Sequence, residues 1–288
     1  FPWQSGSWPT DWPATIQQKW NAVLNRLPHR RGAAHAQPED TTVINFDTVG
    51  TVNTWSQNAH DFSAQHIEEL TSMLQLCQEN GTRLLLISAP KTTLDVVSYE
   101  TYFDDYAYFK QLAAQYGASY YDFNLAKPEL FENKEPDYHK DFTHMNAAGG
   151  HAFSLSMAKF LAMLDAGQDV ESLFETPSEY LAAVNYITNV YLTPEVHPDK
   201  ILLLAGSYHG PSVQAEYEFW VKAPGESEYS RVSAYSTRSW TEYAAAEHGT
   251  YQFRVNARIV GSSADFERYY ECSRSEEHTS ELQSLYLI

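Results

Sequence analysis

The sequence predicts an α/β fold, a partial parallel sheet covered by helices, followed by a C-terminal antiparallel β-sandwich. Three observations carry that expectation. Two short apolar runs that do not alternate, RLLLIS at 83–88 and SYYDF at 119–123, stand on either side of a helical stretch. This is the order of a βαβ unit whose parallel strands are buried on both faces. Beyond Pro198 the apolar period changes to two, as in AEYEFWVKA and GTYQFRVNARIV, the pattern of antiparallel strands with one face in a core. Apolar residues make up 43% of the chain and aromatics 14%, with 20 Tyr and 7 Trp, which suits a folded and partly β-rich protein and not a disordered one.

Taken in order, residues 1–58 carry Trp3, Trp8, Trp12 and Trp20 among several prolines, and a polar stretch HRRGAAHAQPED. One helix is expected near 14–26, and the segment reads as an insertion or the remnant of a truncated N-terminal part. From Asp61 the residues Ile67, Leu70, Met73, Leu74 and Cys77 recur at helical spacing, and Asn80-Gly81 supplies the stop. RLLLIS follows at once, closed by Ala89-Pro90. A second helix is expected from about Tyr99 to Tyr116, with Phe103, Tyr106, Phe109 and Ala113 on one face, Gly117 at its end and the acids of FDDY in solvent. After SYYDF, a last helix is expected near Ala147 to Leu164. The α/β part is thus drawn over 59–165, a linker over 166–196 and the β-sandwich over 197–272. In the sandwich, Tyr217, Phe219 and Val221 face one way and Glu218, Trp220 and Lys222 the other; Tyr251, Phe253, Val255 and Ala257 oppose Gln252, Arg254, Asn256 and Arg258.

A length of 288 residues is room for about two domains. The formal charge of −18 repels nucleic-acid backbones and anionic membrane surfaces, so neither is expected as a partner. Cys77 and Cys272 are the two cysteines, which excludes a disulfide framework and a thiolate metal cluster.

The chemistry concentrates in DYHKDFTHMNAAGGHAFS at 137–154, after the second parallel strand. Open α/β sheets bind their ligands at the carboxyl ends of their strands. Asp141 stands three residues before His144; in a turn, such a carboxylate accepts the Nδ1 proton of the imidazole and leaves Nε2 free as a general base. A divalent metal held by His139, Asp141, His144 and His151 is the competing reading, but no familiar ligand spacing such as H-E-x-x-H is present. No metal and no cofactor is expected, and His139 and His151 are read as ordinary loop and helix residues. Lys91 and the threonines of SAPKTT lie at the same sheet edge, where they could touch substrate, although a plain strand-to-helix connection is the preferred reading, and Asp122 and Asn124 are read as turn formers.

With those residues in place, the region 59–165 resembles the SGNH/GDSL hydrolase superfamily, in the branch of bacterial cell-surface acyltransferase-like proteins that includes teichoic-acid D-alanyl transfer proteins and alginate or peptidoglycan O-acetyltransferases. RLLLISAP, YYDFN and above all DFTHMNAAGGHAFS, similar to the family's last block of D-x-x-H followed by N-x-x-G, carry the resemblance. It implies a partial flavodoxin-like sheet, His144 as general base, Asp141 as its orienting acid, and Asn146 and Gly149 as residues that shape the loop. It also implies a nucleophilic Ser in a first block with oxyanion donors nearby, and none of those blocks is visible. Ser5 and Ser7 follow no apolar strand and are not nominated. The expectation is that the strands and the Ser lay upstream of Phe1. YEFWVK followed by GTYQFRV resembles the immunoglobulin-like or fibronectin-III-like triple-tyrosine modules.

The resemblance implies a serine esterase or O-acyltransferase acting on acyl esters of cell-wall or extracellular glycans, at a bacterial surface and anchored through a missing N-terminal segment, with this chain lacking its nucleophile. The alternative is a non-catalytic surface protein for adhesion or carbohydrate binding. RSEEHTSELQS at 274–284 resembles the translated read-through of a sequencing adapter, so 273–288 is expected to be an artefactual tail outside the fold.

Overall fold

The computed structural model describes residues 62–138, 143–197, 200–245 and 248–275. The whole segment 1–61, including the helix expected near 14–26, and the tail past Ser275 lie outside them. The class is mixed α/β: a small parallel sheet with helices, then two antiparallel sheets.

Helix α1 spans Ala64–Glu79 with Leu74 buried. It ends at Asn80, and Gly81 takes the left-handed φ of 61° that the turn requires. Strand β1, Leu85–Ser88, pairs in parallel with β2, Ser119–Asp122, with Leu85 opposite Ser119 and Ser88 opposite Asp122. Between them lie α2, Thr93–Ser98, and α3, Tyr102–Gln115. The Thr92 hydroxyl caps α2 by accepting from the Asp95 amide at 3.2 Å. After β2, a turn and a long connection lead to α4, Ala147–Asp165.

Side chains of β2 alternate between two layers. Tyr120 meets Tyr106 and Phe109 of α3, while Tyr121 meets Phe160 of α4 at a ring separation of 4.9 Å. Phe160 is fully buried, edge-on to Phe123 and Phe174 at 5.4 and 6.0 Å, and anchors a core with Leu130, Phe131 and Val170. The expectation that β1 is buried on both faces needs correction: its residues are half-buried and Ile87 is 36% exposed. Among the described residues β1 has a strand on one side only. Asp105, expected in solvent, is buried and accepts from the Tyr99 hydroxyl at 2.9 Å, in the first turn of α3, where the helix dipole favours a carboxylate.

The segment 166–196, expected as a linker, is structured. Its helix α5, Pro177–Ala183, opens on a capping box in which Thr176 and Glu179 satisfy each other's amides, and strand β3 occupies Ile187–His197. Tyr180 and Val184 pack on Val96 and Leu125, so the α/β core continues well past 165. The antiparallel sheets therefore begin at Ile187 and not at 197. Strands β3, β4 (Lys200–His209) and β7 (Trp240–Tyr243) form one sheet in that order; β6 (Ser230–Ser236), β5 (Ala215–Lys222), β8 (Thr250–Ile259) and β9 (Arg268–Ser275) form the other. Both sheets contribute to one core, with Ile187, Val190, Ile201 and Leu203 from the first and Phe219, Phe253, Val255 and Ala257 from the second. The residues of β5 and β8 that the alternation assigns to the core are buried, and so are Glu218 and Asn256 of the opposite faces, where Asn256 Nδ2 donates to Glu218 Oε2 at 3.3 Å. Strand β9 runs past the expected end at 272: Arg274 and Ser275 pair with Tyr251 and Thr250, so the sheet includes the first residues of the expected tail. Helix α5 joins the two parts closely, since a Cβ on Gly210 would stand 2.1 Å from the Val184 carbonyl oxygen.

Truncating Phe160 to Ala removes the ring on which Tyr121, Phe123 and Phe174 converge, and we expect a loss of about 3–5 kcal/mol in urea unfolding. A loss under about 1 kcal/mol contradicts this account of the core.

Candidate functional site

The carboxyl ends of β1 and β2 are joined by side chains. Asp122, the last residue of β2, is buried and its Oδ1 accepts from the Asn124 amide at 2.9 Å, closing the short 3-10 turn Phe123–Leu125. Its Oδ2 accepts from the Tyr102 hydroxyl of α3 at 2.8 Å. The Asn124 carboxamide then reaches three ways: Nδ2 lies 2.7 Å from both Asp122 Oδ1 and the Tyr102 hydroxyl and 3.3 Å from the Ala89 carbonyl. An amide nitrogen has two protons, so the Ala89 contact is the weakest of the three. Its Oδ1 accepts from the Lys91 amide at 2.7 Å. Asp122 and Asn124 thus do more than form a turn; they hold the end of β1 to the end of β2.

Burial drives the charges of this cluster in one direction. Desolvation raises the Asp122 carboxyl above its ordinary value, against the hydrogen bonds from Asn124 and Tyr102 that hold it down. Burial and then the adjacent Asp122 carboxylate push the Tyr102 phenol far up, so it stays a neutral donor.

Lys91 is held at its other end as well. Its carbonyl accepts from Asn133 Nδ2 at 2.8 Å, and Asn133 Oδ1 accepts from the Tyr138 hydroxyl at 2.5 Å. The Lys91 ammonium, 41% exposed, pairs with Asp95 Oδ2 at 2.8 Å. Tyr138 is fully buried and forms an antiparallel bridge with Met145, closing the loop between them at its foot. Of that loop, His139, Lys140, Asp141 and Phe142 lie outside the described residues. His144 is exposed at the loop's end, immediately before Met145, and His151 is exposed on α4.

Asn146 and Gly149 fix the far side of the loop. The Asn146 carboxamide oxygen caps α4 by accepting from the amides of Ala148 and Gly149 at 3.0 and 3.1 Å, while its Nδ2 donates to the Pro136 carbonyl at 2.8 Å. Its own amide donates to the Asp137 carbonyl at 2.8 Å. Gly149 lets α4 approach the 3-10 turn Glu135–Asp137, since a Cβ there would stand 2.4 Å from the Asp137 oxygen. From the antiparallel sheets, Arg268 Nη2 reaches Glu135 Oε1 at 3.4 Å and its Nε donates to the Thr188 carbonyl at 3.1 Å. Burial raises the Glu135 carboxyl, and Arg268 opposes that shift.

The structure therefore brings Lys91, Asp122 and Asn124 together at one sheet edge, and places Asn146 and Gly149 at the base of the loop that ends in His144. Tyr102, Asn133 and Tyr138 were not singled out from the sequence. Their partners are distant in the chain and no periodicity marks them; the one local signal was the strand end to which Asn124 belongs. Among the described residues no group of three or more His, Cys, Asp or Glu is placed to hold a metal ion, and no described helix is long and apolar enough to cross a membrane. No protein-family model and no curated protein matches the chain.

The pH dependence of Asp122 has a definite sign. Its folded value lies above the unfolded value of 3.8, so the folded state binds the proton more tightly, and lowering the pH through the folded value toward 3.8 stabilises the wild type. Urea unfolding of wild type and Asp122→Asn at pH 7 and near pH 4 should show the wild type gaining on the variant upon acidification. A loss relative to the variant would contradict burial as the dominant influence on this carboxylate.

Proposed function

We propose that this protein is a serine esterase or O-acyltransferase of the SGNH type, acting on ester-linked acyl groups of cell-wall or extracellular glycans at a bacterial surface. The parallel β1–β2 pair is read as part of a flavodoxin-like sheet, and the two antiparallel sheets as an immunoglobulin-like β-sandwich appended to it. The observation that carries the reading is that Met145, the neighbour of His144, is bridged to Tyr138, which Asn133 links to the carboxyl ends of two parallel strands, the edge where α/β sheets carry chemistry.

In this mechanism a serine hydroxyl attacks the ester carbonyl while His144 Nε2 takes its proton, and His144 then returns it to the departing alkoxide. Asp141 accepts from His144 Nδ1–H and stabilises the imidazolium. Water or a glycan hydroxyl, deprotonated by the same nitrogen, releases the acyl group. No metal or cofactor enters these steps. The nucleophile is assigned to no residue of this chain: Ser88, at the end of β1, has its hydroxyl 2.7 Å from the Tyr120 phenol, on the side covered by α3.

A non-catalytic carbohydrate-binding role is the second reading, favoured by the outward face of the four-stranded sheet. There Trp220 stands opposite Arg254, whose guanidinium lies 4.3 Å over the Tyr269 ring. Retention on an insoluble polysaccharide without ester turnover would support that reading. For the enzyme, in a form of the protein that includes the nucleophilic serine, hydrolysis of 4-nitrophenyl acetate and release of acetate from an O-acetylated glycan should fall by about 10²–10⁴-fold in His144→Ala. Equal rates for wild type and variant contradict the proposal.

A further inference from the structure

We infer that Tyr138 and Asn133 are positioning residues, which seat the loop ending in His144 against the main chain that leaves β1. The inference rests on the reading of His144 as general base, and it concerns two side chains that the reading alone does not assign.

The chemistry of the contacts leaves one arrangement of protons. Tyr138 is fully buried; burial, with the Asp137 carboxylate beside it, raises its phenol, so the ring carries a hydroxyl donor. That hydroxyl points at Asn133 Oδ1, and the carboxamide is thereby oriented with Nδ2 toward the Lys91 carbonyl, an obligate acceptor. The Lys91 amide, on the other side of the same residue, is bound by Asn124 Oδ1. A continuous line of hydrogen bonds therefore runs from Asp122 and Asn124 through both main-chain groups of Lys91 to Asn133 and Tyr138. Tyr138 is in turn bridged to Met145, the neighbour of His144. Every link is a side chain meeting a backbone group or another side chain at 2.5–2.9 Å.

A buried tyrosine needs only its ring for packing; phenylalanine would fill the same space. What the hydroxyl adds is direction. It fixes the loop's first residue relative to the strand end, and Asn146 fixes the last by capping α4 and holding Pro136 and Asp137. A general base must be held within a fraction of an ångström of its working position, and the two residues that follow His144 are held, Met145 by its bridge to Tyr138 and Asn146 by its cap on α4.

The test reads the His144 ring itself by ¹⁵N NMR of the whole chain at a pH where the imidazole is neutral, with its signals assigned by their loss in His144→Gln. If Asp141 accepts from Nδ1, wild type shows the Nδ1–H tautomer, and Asp141→Asn loses it in favour of Nε2–H. Tyr138→Phe and Asn133→Ala should each lose a measurable part of the Nδ1–H signal while retaining wild-type circular dichroism. Ser207→Ala, which removes a hydroxyl bonded to Tyr217 at 2.8 Å within the antiparallel sheets, should leave the tautomer unchanged and so exclude a general effect of lost stability. An unaltered tautomer in Asp141→Asn overturns the acid–base pair, and the positioning role with it. A changed tautomer in Asp141→Asn beside an unaltered one in both Tyr138→Phe and Asn133→Ala overturns the positioning role alone.

Discussion

Lys91 has both of its main-chain polar groups taken by asparagine side chains, its amide by Asn124 and its carbonyl by Asn133. A chain leaving a strand sheds its ladder partners just where it turns, and an unpaired group in a buried setting costs about 1–3 kcal/mol. A carboxamide suits the problem because it accepts at one end and donates at the other. Asn124 satisfies the strand exit from the side of β2, Asn133 from the side of the loop, and the geometry of the candidate site follows from those two contacts.

The same network explains why charge is admitted here. A carboxylate as buried as Asp122 is unfavourable unless donors surround it, and Tyr102 together with the Asn124 amide and carboxamide supplies them. Burial still prevails in the balance, since the carboxyl is raised. Such networks are worth their cost only when every member is satisfied. The antiparallel sheets take part as well: Arg268 grips Glu135 at the turn on which α4 rests, and α5 packs its Tyr180 against Val96 and Leu125. The C-terminal part thus lies against the α/β part and touches the turn beside the loop.

Much of this was legible in the sequence, and the failures have physical causes. Periodicity located α1, α3 and α4, and continuous apolar runs marked the short strands between them, although β1 is only half-buried. The alternation in β5 and β8 named the core residues Phe219, Val221, Phe253 and Val255 correctly. Strand β3 was missed because Pro194 interrupts it; the structure accommodates that proline on an edge strand, where a lost amide costs no ladder bond on the open side. Helix α5 has 7 residues, too few for a period to show, and is held by its capping box and its packing. At the site, Asn146 and Gly149 stand next to the D-x-x-H pattern in the sequence, and the structure places them at the cap and first turn of α4, whereas Tyr138 and Asn133 act through contacts with partners across the fold that no local pattern encodes. Asp141 and His139 lie outside the described residues.

The central claim is that the strand exit and the foot of the His144 loop behave as one unit. A double-mutant cycle between Asn124→Ala and Tyr138→Phe, read by urea unfolding, tests it most directly, because Lys91 and Asn133 link the two side chains. The account predicts a coupling of about 0.5 kcal/mol or more; additivity within about 0.3 kcal/mol would contradict it.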